Sequence, residues 1–310
     1  MKAAVLHAYD RPPIYDDFPD PTPTDDEVLV RVAAAALHPV VKALAAGKHY
    51  SSTDGLPFVP GIDGTGHLDD GTRVYFGGPR PPYGTFSERT VVPRAACIQL
   101  PDGVDEVKVA AIMNPGLSSW GALKLRAGIV AGESVLILGA TGVAGGLAVQ
   151  VAKLLGAGRV IAAGRDAQRL RRLIGLGADE VISLDARELV KYPVDVVLDY
   201  LWGPPVEALL ETRVKVGLKD AWRRVRFVQI GQSAGPRLTL AAETLRSSGL
   251  ELVGSGLGSV SMQDVIDTLP EFLEQVVRGN LTVGLAIRPL AQVESAWTEE
   301  QPGNRVVLKP

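Results

Sequence analysis

The stretch Glu133-Ser-Val-Leu-Ile-Leu-Gly-Ala-Thr-Gly-Val-Ala-Gly-Gly-Leu-Ala-Val-Gln-Val-Ala-Lys-Leu-Leu-Gly-Ala157 decides the fold. Its apolar run at residues 135–138 predicts a buried parallel strand. After Gly139, apolar residues recur at helical spacing as far as Leu155, and Gly156 is a typical stop signal. The stretch therefore predicts a strand, a tight turn and a helix.

The turn in this stretch resembles a dinucleotide-binding fingerprint. It reads Ala140-x-Gly142-x-x-Gly145, with Ala in the place of the first glycine. Gly142 would let the backbone approach a pyrophosphate, and Gly145 would let the helix pack on the strand. The N–H groups at the helix start would then hold the phosphate charge. A tight turn with no ligand is the alternative. The expected cofactor contacts are Ala140, Thr141, Gly142, Val143, Ala144 and Gly145.

A second apolar strand follows at residues 159–163 and ends in Gly164-Arg165-Asp166. An acid at this position is typical of NAD binding, whereas an arginine accommodates the extra phosphate of NADP. Arg169 and Arg172 come one and two helical turns later and would add donors for a doubly charged phosphate. We expect NADPH, held by Gly164, Arg165 and Arg169. The alternative is that these arginines form a solvated helix face.

Size and composition favour a two-domain enzyme. The chain has 310 residues, of which 46% are hydrophobic and 22% charged. Its net charge of −3 argues against a dedicated nucleic-acid binder. No apolar run reaches the ~18 residues of a membrane span. Cys97 is the only cysteine, so neither an internal disulfide nor a cysteine zinc cage is expected. We expect a cytoplasmic location.

The texture of the sequence changes along the chain. Residues 1–115 are rich in Pro, Gly and short alternating strands, which predicts a β-barrel-like domain. Residues 116–254 alternate strands and helices, which predicts an α/β domain with a six-stranded, doubly wound parallel sheet. Residues 255–310 begin with a helix, predicted to break at Pro270, and return to extended structure. The parallel strands are expected at residues 135–138, 159–163, 180–183, 194–198, 226–230 and 250–253.

Several short motifs, taken in order, resemble the medium-chain dehydrogenase/reductase superfamily, and within it the zinc-free, zeta-crystallin-like quinone oxidoreductases. The motifs are Met1-Lys-Ala-Ala-Val5, Asp26-Glu-Val-Leu-Val-Arg-Val32, Leu37-His-Pro-Val40, Gly47-Lys-His-Tyr50, Pro60-Gly-Ile-Asp-Gly-Thr-Gly66, Gly84-Thr-Phe-Ser-Glu88 and the fingerprint turn. This resemblance covers nearly the whole chain. It implies a GroES-like catalytic domain (residues 1–115 and 255–310), a Rossmann NADP-binding domain (residues 116–254) and a homodimer.

Departures from the zinc-dependent members concern the metal. Where those enzymes carry a metal-binding His followed by Glu, this chain has Ile62 and Asp63. An isoleucine cannot bind zinc, and the four histidines include no i, i+4 pair. The resemblance therefore implies a metal-independent reaction. We expect Asp63 to have a structural role, in which it accepts backbone N–H groups of the loop at residues 61–66.

Two residues are candidates for the chemistry. Tyr50 occupies a Gly-x-x-Tyr position that is similar to the catalytic tyrosine of enoyl thioester reductases, and a phenol can donate to a developing enolate oxygen. His38 stands where quinone reductases often carry Asn before Pro. It could hydrogen-bond the nicotinamide carboxamide or the substrate carbonyl. The alternatives are a tyrosine that caps a loop and a histidine that packs under Pro39.

Two further pairs of residues match positions that line the cofactor in the family. Asn114 and Ser118 match its nicotinamide side, although both could cap a helix beginning near Leu117. Asn304 and Arg305 begin a segment similar to the family's closing strand and could reach a cofactor phosphate. A charged start of an edge strand is the alternative for that pair.

The ends of the later parallel strands supply the remaining cofactor candidates. Ligands of open α/β sheets lie beyond the carboxyl ends of the strands. Leu201 and Trp202 follow one predicted strand, and Gly231 and Gln232 follow the next. We expect these four residues near the adenosine, ribose or nicotinamide.

The predicted function is NADPH-dependent, metal-independent hydride transfer to a quinone or another α,β-unsaturated carbonyl. An enoyl thioester reductase is the nearest alternative. A different class of alternative is a low-turnover NADPH-binding sensor or RNA-associated protein, which could use the basic runs Arg169-Leu-Arg-Arg172 and Arg223-Arg-Val-Arg226. Both runs are short and lack interleaved aromatic residues.

Overall fold

The computed structural model describes residues 1–52, 55–189, 191–217, 224–256 and 258–310. The chain divides into two units. The first comprises Met1–Asn114 and Val283–Pro310, and the second Pro115–Thr282.

The strands, in chain order, are β1 (Lys2–Val5), β2 (Ile14–Asp17), β3 (Glu27–Ala36), β4 (Asp63–His67), β5 (Arg73–Gly77), β6 (Arg89–Pro93), β7 (Cys97–Gln99), β8 (Ser134–Leu138), β9 (Arg159–Gly164), β10 (Glu180–Ser183), β11 (Val196–Asp199), β12 (Val225–Gln229), β13 (Leu250–Gly254), β14 (Gly284–Pro289) and β15 (Asn304–Lys309). The α-helices are α1 (Pro39–Ala45), α2 (Glu106–Gly121), α3 (Val143–Leu154), α4 (Ala167–Ile174), α5 (Ala186–Leu189), α6 (Gly203–Gly217), α7 (Ala242–Ser247), α8 (Met262–Val277) and α9 (Val293–Thr298). Short helical turns occupy Arg94–Ala96, Ala122–Ala127 and Leu290–Gln292.

In the first unit the largest sheet has the order β14-β15-β3-β4-β5-β7, and β6 also pairs with β3. β1 and β2 form a separate antiparallel pair. Along β3, Val28, Val30 and Val32 are buried while the residues between them are more exposed. This alternation is the period-two pattern of a half-buried strand. It places the valines in the core together with Phe76 and Phe86.

The second unit contains the predicted parallel sheet. Within its described residues, six strands lie in the order β10-β9-β8-β11-β12-β13, and every pairing is parallel. All residues of β8 and β11, the two central strands, are buried. Parallel sheets are covered on both faces, which explains why these strands read as continuous apolar runs. The predicted Rossmann arrangement is therefore confirmed.

Helix α8 corrects the prediction of a break at Pro270. The helix continues through this proline from Met262 to Val277. Its packing supports the continuous form, because the Trp120 ring contacts Phe272 with centroids 5.4 Å apart. The Trp120 Nε1–H also donates to Thr268 Oγ1 at 3.1 Å. Contacts on both sides of the proline thus stabilise one helix.

The same contacts explain where the chain returns to the first unit. That return lies between Thr282 and Val283, later than the expected boundary at residues 254–255. The Phe272 ring fills the space beside Gly116, where an added Cβ would lie 3.2 Å from Phe272 Cε1. Helix α8 accordingly belongs to the second unit with the C-terminal half of α2.

Helix α2 corrects a second expectation. A helix was expected to begin near Leu117, but α2 begins at Glu106 and runs through Pro115. Its start is capped by Asp105 Oδ1, which accepts the N–H groups of Val107 (3.0 Å) and Lys108 (3.2 Å).

None of the helices in the described parts of the chain combines the length and the apolar character that a membrane span requires.

Candidate functional site

The turn after β8 presents open backbone N–H groups. Helix α3 begins beyond Gly142, whose N-cap conformation is extended (φ −79°, ψ 166°), and no described side chain caps it. The first helical hydrogen bond runs from Gly146 N–H to Gly142 O at 2.8 Å. The N–H groups of Val143, Ala144 and Gly145 precede it and lack helical acceptors. Open N–H groups at a helix start are suited to binding an anion.

The neighbouring N–H group of Ala140 is used within the sheet, because it donates to Ala163 O at 3.0 Å. The Gly142 N–H donates to Gly139 O at 3.1 Å. Of the predicted contacts at this turn, the N–H groups of Ala140 and Gly142 are thus engaged by backbone oxygens.

The two glycines of the fingerprint differ in whether the fold has room for a side chain. An added Cβ at Gly145 would lie 2.6 Å from Ala140 Cα, so close packing of helix and strand excludes a side chain there. An added Cβ at Gly142 would meet only Gly139 O, at an ordinary 3.5 Å. Gly142 is exposed, and its φ of −79° is open to any residue. The fold alone does not require this glycine, which fits the close approach of a ligand.

Asp166 and the two arginines that follow β9, Arg165 and Arg169, have different interactions. Asp166 caps α4, where its Oδ1 accepts the N–H groups of Gln168 (2.9 Å) and Arg169 (3.0 Å). The hydrogen bond from the Arg169 N–H lowers the pKa of Asp166 most, and the bond from the Gln168 N–H lowers it further. Desolvation of the carboxylate opposes both effects. Arg165 is exposed, and no acidic side chain among the described residues pairs with it. Gly164 packs on Thr141, where an added Cβ would lie 2.7 Å from Thr141 Cγ2.

Arg169 is partly engaged, because its Nε lies 3.1 Å from Asp166 Oδ2. The Asp166 carboxylate, which stands where an acid typically binds the ribose of NAD, thus caps α4. The cation on the preceding residue is available, which favours a phosphate over a ribose hydroxyl at this strand end.

The loop after β11 is organised by a buried carboxylate. Asp199 is fully buried, and its Oδ1 accepts the N–H groups of Leu201 (2.8 Å) and Trp202 (3.1 Å). Burial raises the pKa of Asp199 to about 6, and the two backbone donors oppose that rise. Trp202 has a left-handed φ of 53°. The Leu201 side chain lies over the fingerprint turn, since an added Cβ at Gly139 would meet it at 3.0 Å.

The loop after β12 packs against the same segment. The Gly231 N–H donates to Asp199 O at 3.0 Å, and a Cβ at Gly231 would lie 2.7 Å from Tyr200 O. Gln232 is exposed beside it, and Ala234 N–H donates to Leu201 O at 2.8 Å. The structure thus brings Leu201, Trp202, Gly231 and Gln232 together at the carboxyl edge of the sheet.

Sequence reasoning missed Tyr200 as part of this edge. Its hydroxyl lies 2.8 Å from Ser119 Oγ. Desolvation raises the pKa of the Tyr200 phenol, while the Ser119 and Ser118 hydroxyls lower it. Ser118, a predicted nicotinamide contact, is therefore close to the β11 loop. Asn114 and Ser118 lie inside α2 and do not cap its start, which corrects that alternative.

The first unit contains a buried polar cluster that we call the His38 cluster, formed by His38, Asp63, Tyr75 and Arg305. His38 precedes α1 and is 1% exposed. Its Nε2 lies 3.2 Å from Asp63 Oδ1 without hydrogen-bond geometry. The Tyr75 hydroxyl donates to Asp63 Oδ2 at 2.9 Å. Asp63 therefore accepts a hydrogen bond from the Tyr75 side chain, whereas backbone N–H groups of its own loop were expected.

Arg305 completes this cluster from β15. It is 6% exposed, and its Nη1 donates to Leu37 O at 2.9 Å. Burial lowers the pKa of Arg305 to about 10, while the Asp63 charge raises it. The guanidinium is engaged inside the first unit, and this burial does not support the expected contact with a cofactor phosphate. Asn304, the residue before it, is exposed.

Tyr50 lies on the surface of the first unit with 76% of its area exposed. Its ring contacts His49, with centroids 4.1 Å apart. The His49 Nδ1 in turn lies 2.7 Å from Ser51 Oγ. Tyr50 thus lies on an exposed turn, whereas the residues of the His38 cluster are buried.

Two arginines of the second basic run pair with acidic side chains. Arg224 forms a bidentate pair with Glu251, with Nε–Oε1 at 2.7 Å. Arg226 is buried, pairs with Glu133 and donates to Ala127 O at 2.8 Å. Trp222 and Arg223 lie outside the described residues. Arg224 and Arg226 are therefore both engaged in ion pairs within the second unit.

Within the described ranges, His, Cys, Asp and Glu side chains form no group of three or more that could hold a metal ion.

Comparisons with known proteins agree on a family of reductases. No family model matches the chain. A probable NADPH-dependent quinone reductase of Emericella nidulans is 30% identical over 361 aligned positions, which cover 100% of both chains. A 2-methylene-furan-3-one reductase of Solanum lycopersicum is 28% identical over 86% of this chain and 72% of its own length. The solved quinone oxidoreductase of Thermus thermophilus, studied also with NADPH, covers 100% of both chains with 28% identity and a TM-score of 0.84.

Proposed function

The chain belongs to the quinone oxidoreductase branch of the medium-chain dehydrogenase/reductase superfamily, and on that premise we propose that it reduces quinones and other α,β-unsaturated carbonyls with NADPH. When bound, NADPH supplies the hydride from C4 of its nicotinamide. One observation carries the proposal most directly: Gly142 is a glycine that neither its φ nor its neighbours require. Its backbone is open to a pyrophosphate.

The residues proposed to hold NADPH lie at the carboxyl edge of the parallel sheet. The N–H groups of Val143, Ala144 and Gly145 would hold the pyrophosphate at the helix start. Arg165, with Arg169, would bind the additional phosphate through planar guanidinium donors. The Asp166 carboxylate supports this fit because it accepts the N–H groups at the start of α4. It therefore does not compete with the additional phosphate for Arg165.

The reaction is proposed to need no metal. Ile62 stands where zinc-dependent relatives carry a ligand, and a conjugated carbonyl accepts hydride without a Lewis acid. The work of the protein is then to orient the reactants and to exclude water. It also has to supply a hydrogen bond to the oxygen that gains charge.

Tyr50 is the proposed donor of that hydrogen bond, because its phenol is presented on the surface of the first unit. With an enone as substrate, Tyr50→Phe should lower kcat by roughly a hundredfold and leave NADPH affinity unchanged. Tyr15→Phe, at another exposed tyrosine, is the matched control and should leave both quantities unchanged. Equal kcat values for the two variants would remove Tyr50 from the mechanism.

The function itself is tested by following NADPH oxidation with three acceptors: 1,4-benzoquinone, a small enone and a crotonyl thioester. Turnover that is highest with the quinone or the enone supports the proposal. Turnover confined to the thioester would make the chain an enoyl thioester reductase. Tight NADPH binding with no turnover on any acceptor would favour the sensor alternative.

The expected homodimer and the expected cytoplasmic location stay predictions. Light scattering coupled to gel filtration tests the first, and a molar mass of one chain would contradict it. Retention of RNA at moderate salt would favour an RNA-associated role, although the pairing of Arg224 and Arg226 speaks against it.

A further inference from the structure

We propose that Asp63 is a positioning residue that holds the buried His38 ring in a single neutral tautomer, with the proton on Nε2 and with Nδ1 left as a hydrogen-bond acceptor. The inference deepens the proposed function and rests on it for its consequence in the reaction. The tautomer itself follows from the His38 cluster alone.

The first step is the contact between the two side chains. Asp63 Oδ1 lies 3.2 Å from His38 Nε2, and both groups are buried. A carboxylate oxygen this close to a ring nitrogen is repelled by a lone pair and attracted by an N–H. The attraction persists although the hydrogen-bond angle is poor, because burial strengthens electrostatic interactions. The proton is therefore favoured on Nε2.

The second step is the fixation of the carboxylate. The Tyr75 hydroxyl donates to the other oxygen, Asp63 Oδ2, at 2.9 Å. Burial, with the Asp63 charge, raises the pKa of Tyr75 well above its usual value, so this phenol remains a donor. With Oδ2 bound, Oδ1 is the oxygen that faces His38. A chain of two contacts thus runs from Tyr75 through Asp63 to the imidazole.

The third step is the charge of the ring. Burial lowers the pKa of His38, the Asp63 carboxylate raises it, and the Arg305 guanidinium lowers it again. The charged groups that face His38 are thus Asp63 from β4 and Arg305 from β15, which oppose each other. Lys42 on α1 adds positive charge beside Arg305, and burial and Arg305 lower its own pKa. The ring is held neutral and carries one proton.

The consequence concerns what His38 can bind. Its Nδ1 has no hydrogen-bond partner among the described residues, although the side chain is almost completely buried. A buried acceptor without a donor is costly, which favours a ligand or a water that donates. Nδ1 in this tautomer accepts from a primary amide N–H and cannot donate to a carbonyl oxygen. Of the two roles considered for His38, the amide role is therefore retained.

The experiment is nitrogen-15 NMR of the ligand-free protein labelled at histidine. The chain has four histidines, and His38→Asn identifies the His38 signals by their loss. We expect two well-separated ring-nitrogen signals, with the proton on Nε2, that stay constant between about pH 5 and pH 8. A proton on Nδ1, or a ring that becomes doubly protonated within that range, would overturn the proposal.

Two variants test the cause. Asp63→Asn should abolish the preference for Nε2–H and give an averaged or altered tautomer. Tyr75→Phe keeps the ring, removes only the hydroxyl that fixes Asp63, and should shift the His38 signals in the same direction. It also serves if Asp63→Asn does not fold. Asp70→Asn and Tyr83→Phe change the same residue types elsewhere in the first unit and should leave the His38 signals in place. Unchanged signals in both cluster variants would refute the positioning role.

A functional readout separates this inference from the proposed function. If the enzyme turns over, folded Asp63→Asn should raise the KM or Kd for NADPH at least tenfold with a smaller change in kcat. Wild-type affinity in a variant whose tautomer has changed would overturn the amide role. If no acceptor is reduced, the proposed function fails, while the NMR result still decides the tautomer.

Discussion

Asp199 holds Trp202 in a left-handed backbone conformation: Oδ1 accepts the Trp202 N–H at 3.1 Å, and the tryptophan has φ 53°. A non-glycine residue in this region is strained by about 1 kcal/mol or more. The buried carboxylate offsets that strain, since it also binds the Leu201 N–H at 2.8 Å. One acidic side chain thereby shapes the loop that is proposed to contact the cofactor.

The burial of Asp199 predicts a pH dependence of stability. Its pKa is raised to about 6 in the folded protein, from an ordinary value of 3.8. The folded state then binds a proton more tightly than the unfolded state, which stabilises the fold below about pH 4. That contribution is lost as the pH rises through about 6, and it amounts to at most about 3 kcal/mol.

Asp199→Asn removes this titration while keeping an acceptor for the loop. Between about pH 4 and pH 7, the free energy of unfolding of the wild type should fall relative to that of the variant. Chemical denaturation across this range measures the difference. Asp185→Asn, at an exposed cap of α5, is the control. Parallel curves for wild type and Asp199→Asn would contradict the assignment.

Adjacent glycines in α3 should respond in opposite directions to alanine. At Gly145 a Cβ would lie 2.6 Å from Ala140 Cα, so Gly145→Ala should lower the free energy of unfolding by about 2 kcal/mol. At Gly146 an added Cβ would lie no closer than 3.8 Å to another atom, Leu173 Cδ2. Gly146→Ala should therefore raise the free energy of unfolding by about 0.5–1 kcal/mol, because alanine has the higher helix propensity. Urea unfolding of the two variants compares them directly. Equal effects would mean that helix and strand are not packed as described.

Arg224, which immediately precedes β12, and Arg226, which lies within it, should differ because Arg226 is buried and Arg224 is exposed. Arg226→Ala leaves Glu133 and the Ala127 carbonyl without their partner and should cost about 3 kcal/mol of stability. Arg224→Ala removes only an exposed pair with Glu251 and should change stability by less than about 0.5 kcal/mol. Thermal unfolding of both variants separates the two effects, and similar losses would argue against the buried pair.

Cofactor preference should depend on Arg165. Arg165→Glu should weaken NADPH binding tenfold or more, about 1.4 kcal/mol, because it places a negative charge beside the additional phosphate. NADH binding should change much less, because NADH lacks that phosphate. Arg187→Glu makes the same charge change at another exposed position of the second unit and should affect neither. Fluorescence titration measures the affinities of the wild type and both variants for NADPH and for NADH, and equal losses for the two cofactors in Arg165→Glu would remove Arg165 from the phosphate site.

The parallel sheet, and the loops at its carboxyl edge that are proposed to bind the cofactor, were predictable because they depend on local sequence patterns. Buried parallel strands read as apolar runs, and their turns carry glycines at fixed spacing. Helix α2 was expected only from near Leu117, whereas it begins at Glu106 and runs through Pro115. What stabilises the helix there is the packing of Phe272 near Gly116, residues far apart in the sequence.

The His38 cluster was not predictable for a related reason. Asp63, Tyr75 and Arg305 lie on β4, β5 and β15 of one sheet, whereas His38 precedes α1. No local pattern tells an aspartate that binds a tyrosine from one that binds its own loop. Asp199 did leave a signal, since it is an acid that ends an apolar strand at the ligand edge of the sheet.

The central claim is that a dinucleotide pyrophosphate lies against the N–H groups that follow Gly142. Calorimetric titration of NADPH into wild type, Gly142→Ala and Gly146→Ala tests it most directly, with melting temperatures measured alongside. A Cβ at either position meets only ordinary contacts, so both variants should fold. We predict that Gly142→Ala loses tenfold or more in NADPH affinity, about 1.4 kcal/mol, while Gly146→Ala binds as the wild type does. A folded Gly142→Ala variant with wild-type affinity would contradict the account.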